Sequence, residues 1–310
     1  MRRVAAIDCG TNSIRLLIVE TDGENLQELY RDMIIIRLGE GVDEHKRFSD
    51  GALMRLQDAC RVFQGVLTQF GVSQTRFIAT SASRDVSNRA EFLEIIETEL
   101  ALTPDIITGE EEARLSFLGA TGSFRHLPSP YLVIDIGGGS TEFVLGDTNV
   151  EAARSVNIGC VRMTERHQFS NPPTSAELER AILDIDAAID EALGIVDVSR
   201  ANTIIGLAGS ITTVAAEALG LSTYERAKIH GSSFSIQDIA TAANTLIHMT
   251  LEERSKRGFM HPGRVDVIGA GALVLWRSLL KISQLHPNMP LLTVSEHDIL
   301  DGIIYDLLAD

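Results

Sequence analysis

The stretches AIDCGTNSIRLLI (residues 6–18) and VIDIGGGSTEFVL (residues 133–145) lie over one another at an offset of 127 residues, matching Ile7 with Ile134, Asp8 with Asp135, Gly10 with Gly137 and Ser13 with Ser140. Each reads as strand, polar turn, strand, because apolar residues fill the flanks and small turn formers the middle. Working outward, Asp22-Gly23 marks a turn before a third strand running to about Arg37. Asp147-Thr148-Asn149 marks its counterpart before a strand through Val156. Two three-stranded meanders result. Leu38-Gly39 then matches Ile158-Gly159, helical stretches follow at about 49–70 and 175–194, and the strand-loop segments RFIATSASR (76–84) and TIIGLAGSIT (203–212) close each half. One half repeats the other in order, which predicts an α/β protein of two duplicated lobes flanking a cleft. The join falls near the Pro- and Ser-containing segment 122–130, so the lobes are expected over 1–124 and 125–295, with the amphipathic tail 296–310 joining the first. Apolar residues recurring at three and four predict helices over 89–101, 110–121, 176–194, 235–251 and 264–282.

The 310 residues are 45% apolar, enough for a sizeable core and too many for a disordered chain. With 27 Lys and Arg against 43 Asp and Glu, the net charge of −16 argues against a nucleic-acid or anionic-membrane surface. Cys9, Cys60 and Cys160 are too scattered for a disulfide framework or a zinc site, and Cys9 alone lies in a candidate loop. The N-terminus lacks a signal-peptide core. The longest apolar run, Val267 to Trp276, is too short to span a bilayer, so a cytoplasmic protein is expected.

The turn Asp8-Cys9-Gly10-Thr11-Asn12-Ser13 offers backbone N–H groups and hydroxyls to a phosphate. Its twin, Asp135-Ile136-Gly137-Gly138-Gly139-Ser140-Thr141-Glu142, is stronger, since three glycines let consecutive N–H groups approach one oxyanion and Asp135 can hold a divalent metal through water. A single Gly-rich hairpin is usually only a turn; two related ones point to phosphate. Arg15 and Glu142 take equivalent places in the repeat. Arg15 suits a phosphate clamp, whereas Glu142 suits a metal or the attacking water. Among Glu110, Glu111 and Glu112, helix capping accounts for most of the cluster, and one of the three is the candidate general base. Ser81-Ala82-Ser83-Arg84 ends a strand with hydroxyls and a guanidinium; Gly206-Leu207-Ala208-Gly209-Ser210 ends its counterpart with small residues and no basic side chain. The eight histidines show no metal-ligand spacing, and no Ser, Cys or His has a nucleophile setting.

AIDCGTNSIRLLI, ITGEEEARLSFLGA (107–120) and VIDIGGGSTEFVLG (133–146), in this order, resemble the exopolyphosphatase and guanosine pentaphosphate phosphohydrolase family. The likeness extends through NIGCVRMTE, GLAGSITTVAA and PGRVDVIGAGALVL. It implies two actin-like (ribonuclease H-like) lobes. It also implies hydrolysis of a terminal phosphate from inorganic polyphosphate, or of the 5′ phosphate of guanosine pentaphosphate, with Mg2+ or Mn2+. Carried over by motif, the catalytic carboxylates fall on Glu112 and Glu142. The phosphate ligands fall on Asn12, Ser13, Arg15, Arg84, Gly137, Gly138, Gly139, Ser140 and Thr141, to which Gly209 and Ser210 are added from the repeat, and the metal ligands are taken as Asp135, Glu142 and Asp8. Thr11 replaces the usual serine. SEHDILDGIIYD (295–306) stands where many relatives have Leu-Arg-Glu-Gly, so Leu300-Asp301 cannot supply that arginine. Ending at residue 310, the chain is expected to lack the C-terminal helical domain of longer members and to act distributively on long polyphosphate, unless a homodimer supplies surface in trans. Polyphosphate is the favoured substrate. A kinase of the same superfamily fits the GEEEAR segment less well, and a non-catalytic phosphate sensor would not need the two glutamates.

Overall fold

A computed structural model describes every residue except Glu24, Asp85 and Asp310. Its contacts divide the chain into two units, Met1–Gly119 with Ile299–Asp310, and Ala120–Asp298.

In the first unit the strands are β1 (Arg2–Cys9), β2 (Ser13–Thr21), β3 (Leu26–Ile35), β4 (Gln74–Ala79) and β5 (Asp105–Ile106), ordered β3-β2-β1-β4-β5. The meander β1–β3 is antiparallel, and β4 and β5 extend it in parallel. From Val4 onward β1 is wholly buried, because both faces of the sheet are covered. Side chains alternate between them. Ala5, Ile7, Ile14, Leu16 and Ile18 pack on the helices Asp50–Phe70 and Arg89–Leu100 through Leu56, Phe63, Phe92 and Ile96. Val4, Ala6, Leu17 and Val19 pack instead on Leu115 and the chain-terminal helix Ile299–Ala309. Gly302 permits that second layer, since a Cβ there would lie 1.9 Å from the Leu115 carbonyl oxygen. In the stretch that departs from the family pattern, Asp301 forms an ion pair with Arg31 at 2.6 Å.

The second unit repeats the plan with β6 (Tyr131–Ile136), β7 (Thr141–Gly146), β8 (Val150–Val156), β9 (Thr203–Leu207), β10 (Ser233–Phe234) and β11 (Leu292–Val294), ordered β10-β11-β9-β6-β7-β8. Again an antiparallel meander continues into parallel strands, here β9 and β11, with β10 antiparallel at the edge. Ile134, Phe143 and Leu145 pack with residues of the helices Ser175–Leu193, Ala208–Ala218, Ile236–His248 and Ile268–Leu285. The two sheets are the duplicated α/β units expected from the repeat.

Three local readings change. The helix expected over 235–251 stops at His248, and Thr250 with Glu253 forms a capping box that starts a separate turn, Leu251–Ser255. The helix expected from 264 begins at Ile268 and runs to Leu285, after the turn Pro262–Arg264. No loop separates β9 from the next helix, which begins at Ala208 in a left-handed backbone conformation (φ 69°). Among the described residues no helix is long and apolar enough to cross a membrane, and the three cysteines are buried and free.

Candidate active site

In the first unit, the turn after β1 closes through Gly10 N–H donating to the Ser13 carbonyl at 2.9 Å. The segment after β3 pins it: Ile36 and Arg37 donate to the Asn12 carbonyl, and Gly39 donates to that of Thr11 at 2.8 Å. The Thr11 and Ser81 hydroxyls meet at 2.9 Å, so this turn and the one after β4 are one structure. Asp8 and Arg15 are cross-strand neighbours, and Arg15 Nε donates to Asp8 Oδ2 at 3.0 Å. The ion pair orients the guanidinium and supplies the carboxylate with a counter-charge.

The three glutamates opening the helix Gly109–Gly122 have separate fates. Glu110 is exposed, and Glu111 is clamped by Arg114, whose Nε donates at 2.8 Å. Glu112 is buried at 9% exposure and forms an ion pair with Arg84. The Arg84 Nε is buried and has no hydrogen-bond partner among the described residues. Its neighbour Arg89 holds the loop by donating from Nε to the Ser83 carbonyl at 3.1 Å. A guanidinium held on one side by the candidate base still has a donor for an incoming oxyanion.

In the second unit Gly137 N–H closes the turn on the Ser140 carbonyl at 3.0 Å. The carbonyls of Gly137 and Gly138 accept from Cys160 N–H (3.0 Å) and from Val161 and Arg162 N–H (2.9 and 3.1 Å), and Arg162 Nε takes the Gly139 carbonyl at 2.7 Å. The carbonyls are thus consumed by the start of the helix Cys160–His167, while the N–H groups of Gly138 and Gly139 donate to nothing among the described residues. That contact requires Gly159, where a Cβ would lie 2.3 Å from the Gly138 carbonyl. Asp135 and Glu142 are cross-strand partners, at 8% and 1% exposure. The Ser155 hydroxyl donates to Glu142 Oε1 at 2.6 Å. Two buried carboxylates on one face repel each other unless a positive charge joins them. Their hard oxygen donors suit Mg2+ or Mn2+, which keep waters to complete six-coordination. No group of three or more candidate metal ligands occurs among the described residues, so protein donors alone would not fill the sphere.

Gly209 and Ser210, expected as phosphate contacts in a loop, stand in the first turn of the helix Ala208–Ala218. This end of β9 carries a basic group after all: the Arg264 guanidinium lies over Gly209, where a Cβ would be 2.3 Å from Cζ. Arg264 is 55 positions away and was not singled out from the sequence, although the PGR segment that holds it was quoted. Burial pushes the Cys9 and Cys160 thiols up, which disfavours thiolate chemistry at either turn.

A model of the Ppx/GppA phosphatase family matches residues 17–310. The chain belongs to that family. Exopolyphosphatase 2 of Mycobacterium tuberculosis is 44% identical to it, over 99% of either chain. The crystal structure of an exopolyphosphatase-like protein, 45% identical, matches with a TM-score of 0.95 over 99% of this chain and 97% of that one. A more distant family relative, the guanosine-5′-triphosphate,3′-diphosphate pyrophosphatase of Vibrio cholerae, is 26% identical over 99% of this chain and 59% of its own length. In this family setting, the short strand-turn-strand repeats that decided the fold are also where the buried carboxylates lie.

Proposed function

We propose that this chain removes the terminal phosphate of inorganic polyphosphate by attack of water, with Mg2+ or Mn2+ as cofactor. The observation that carries the reading is the buried Asp135–Glu142 pair beside two glycine N–H groups that donate to nothing among the described residues. Such a combination serves a metal-bound phosphoryl group better than it serves folding. A bound metal would neutralise the phosphoryl oxygens and be held by Asp135 and Glu142.

The protein's own residues supply the rest. Gly138 and Gly139 donate to a phosphoryl oxygen, and Ser140 and Thr141 fix the turn that presents them. In the first unit Arg84 turns from Glu112 to a phosphate of the substrate, which leaves the Glu112 carboxylate to take a proton from water. Arg15, held by Asp8, and the turn at Asn12 and Ser13 bind further phosphates, and Arg264 with Gly209 and Ser210 adds a cationic contact. Glu142, held by Ser155, orients water or metal. The Vibrio cholerae relative supports a second substrate, guanosine pentaphosphate, for the same residues. Phosphate release from polyphosphate and from guanosine pentaphosphate, measured side by side with and without Mg2+, tests both. No Mg2+-dependent release from either would overturn the reading.

A further inference from the structure

The second unit contains a cavity of about 140 Å3 that includes none of the residues given a role above. Its floor is Arg254, at 4% exposure, with Gly269 and Ala270 of the helix Ile268–Leu285; its mouth is at Ser170, Asn171 and Leu251, and Asp266 stands in its wall. The Arg254 guanidinium lies against Gly269, where a Cβ would be 2.4 Å from Nη2. It donates to the carbonyls of Leu246 (2.8 Å), Ile247 (3.1 Å) and Val265 (3.1 Å). Three of its five N–H groups are thereby used, all on neutral acceptors, and among the described residues no carboxylate lies within ion-pair distance.

A buried cation with only dipoles around it is costly. Burial lowers the Arg254 pKa, and Asp266, which acts on it electrostatically from further off, offsets only part of that. A small anion in the cavity would supply the missing counter-charge. The first-turn N–H groups of Ile268–Leu285 add to this, since that helix has no side-chain N-cap. Size fits as well. One water needs roughly 10–15 Å3 of such space, so 140 Å3 admits an ion of several non-hydrogen atoms.

Asp266 selects among anions. A carboxylate in the wall repels any anion that brings only acceptors, and it welcomes one that also brings an O–H. We propose that this cavity binds orthophosphate in its hydrogen-phosphate form, with phosphate oxygens accepting from Arg254 and the P–OH donating to Asp266, and that it excludes sulfate, which has no proton to donate at neutral pH. The inference stands without the proposed reaction, but under that reading the ligand is the released product. A phosphoryl group at the end of a chain shares this chemistry; a volume of about 140 Å3 favours the free ion.

Crystals of the full chain soaked in orthophosphate, sulfate or tripolyphosphate at equal concentration test the assignment directly. Tetrahedral density against Arg254 is expected with orthophosphate only. An empty cavity in phosphate, equal density in sulfate, or density only with tripolyphosphate overturns it; the equal-density case identifies an adventitious ion only. Asp266→Asn should admit sulfate, because the repelling charge is gone. Asn171→Asp keeps the oxygen that accepts from Leu251 N–H at 2.8 Å and places a charge at the mouth. It should weaken phosphate occupancy at this site at least about tenfold, a modest repulsion for charges a few ångströms apart. Both variants avoid removing Arg254, whose loss would strip three buried carbonyls of their donor, and unchanged selectivity in Asp266→Asn with unchanged occupancy in Asn171→Asp would also sink the proposal.

Discussion

The turns between β1 and β2 and between β6 and β7 share a backbone and differ in charge. In the first, the residue opposite the strand-end aspartate is Arg15; in the second it is Glu142. Across the strands Asp8 therefore faces a guanidinium, whereas Asp135 faces a second buried carboxylate. The duplicated scaffold fixed where two side chains meet, and one change of charge sign gives the copies different pairs: a carboxylate facing a guanidinium in one, two carboxylates in the other. The loops that follow β4 and β9 differ as well. Arg84 belongs to its own loop, while Arg264 reaches Gly209 from a distant segment.

The largest effect expected from breaking this asymmetry falls on the carboxylates. Glu112→Gln and Glu142→Gln should each keep the fold and lower turnover by about 10²–10⁴-fold, the usual contribution of a positioned acid–base group. Full activity in phosphate release by Glu112→Gln would remove it from the role of base. Asp135→Asn against Asp8→Asn sharpens the comparison itself. The first should raise the Mg2+ concentration for half-maximal rate by about 10–100-fold, as weakened metal sites do. The second should leave that concentration unchanged and lower thermal stability instead, since it removes the carboxylate charge paired with Arg15. An equal metal shift in both would make Asp8 a ligand and erase the distinction between the copies.

Arg84→Ala should raise the Michaelis constant for polyphosphate about 10–100-fold at low salt, the value of a charge-assisted contact. The increase should shrink as salt screens the wild-type interaction; a salt-independent change would speak against direct contact. Glycines at the repeat offer a purely steric comparison. Gly159→Ala drives a Cβ into backbone, 2.3 Å from Gly138, whereas at Gly39 the nearest atom is the Thr11 methyl, which can turn away. Overpacking typically costs about 1–3 kcal/mol, so melting curves should place Gly159→Ala at the upper end and Gly39→Ala at the lower. Equal losses would mean that the second turn is no more tightly built than the first.

The smallest effect concerns pH. Glu177 caps the helix Ser175–Leu193, and the Thr174 N–H followed by the Ser170 hydroxyl holds its carboxyl down to about 2. A folded pKa below the ordinary value of 4.5 means that the cap contributes fully above that pH and fades as pH falls toward 2. Glu177→Gln should accordingly be less stable than the parent at neutral pH, by a margin that closes in acid unfolding curves. A margin constant with pH would show that the charge plays no part.

Much of this was legible in the chain itself. The repeat of residues 6–18 in 133–145 specified two meanders, their turns and the cross-strand places of Arg15 and Glu142, because strand alternation and turn chemistry act between near neighbours. Thr250 with Glu253 was an equally local signal for ending one helix and starting another, but apolar periodicity hid it. What only the tertiary structure decided depended on packing at long range. Glu110, Glu111 and Glu112 are indistinguishable as helix-opening carboxylates, and successive residues point about 100° apart; burial against the β4 loop selects Glu112 for Arg84. The Arg264–Gly209 contact and the cavity around Arg254 join segments that no periodicity relates, since side chains distant in sequence meet only when helices and sheets have chosen their faces.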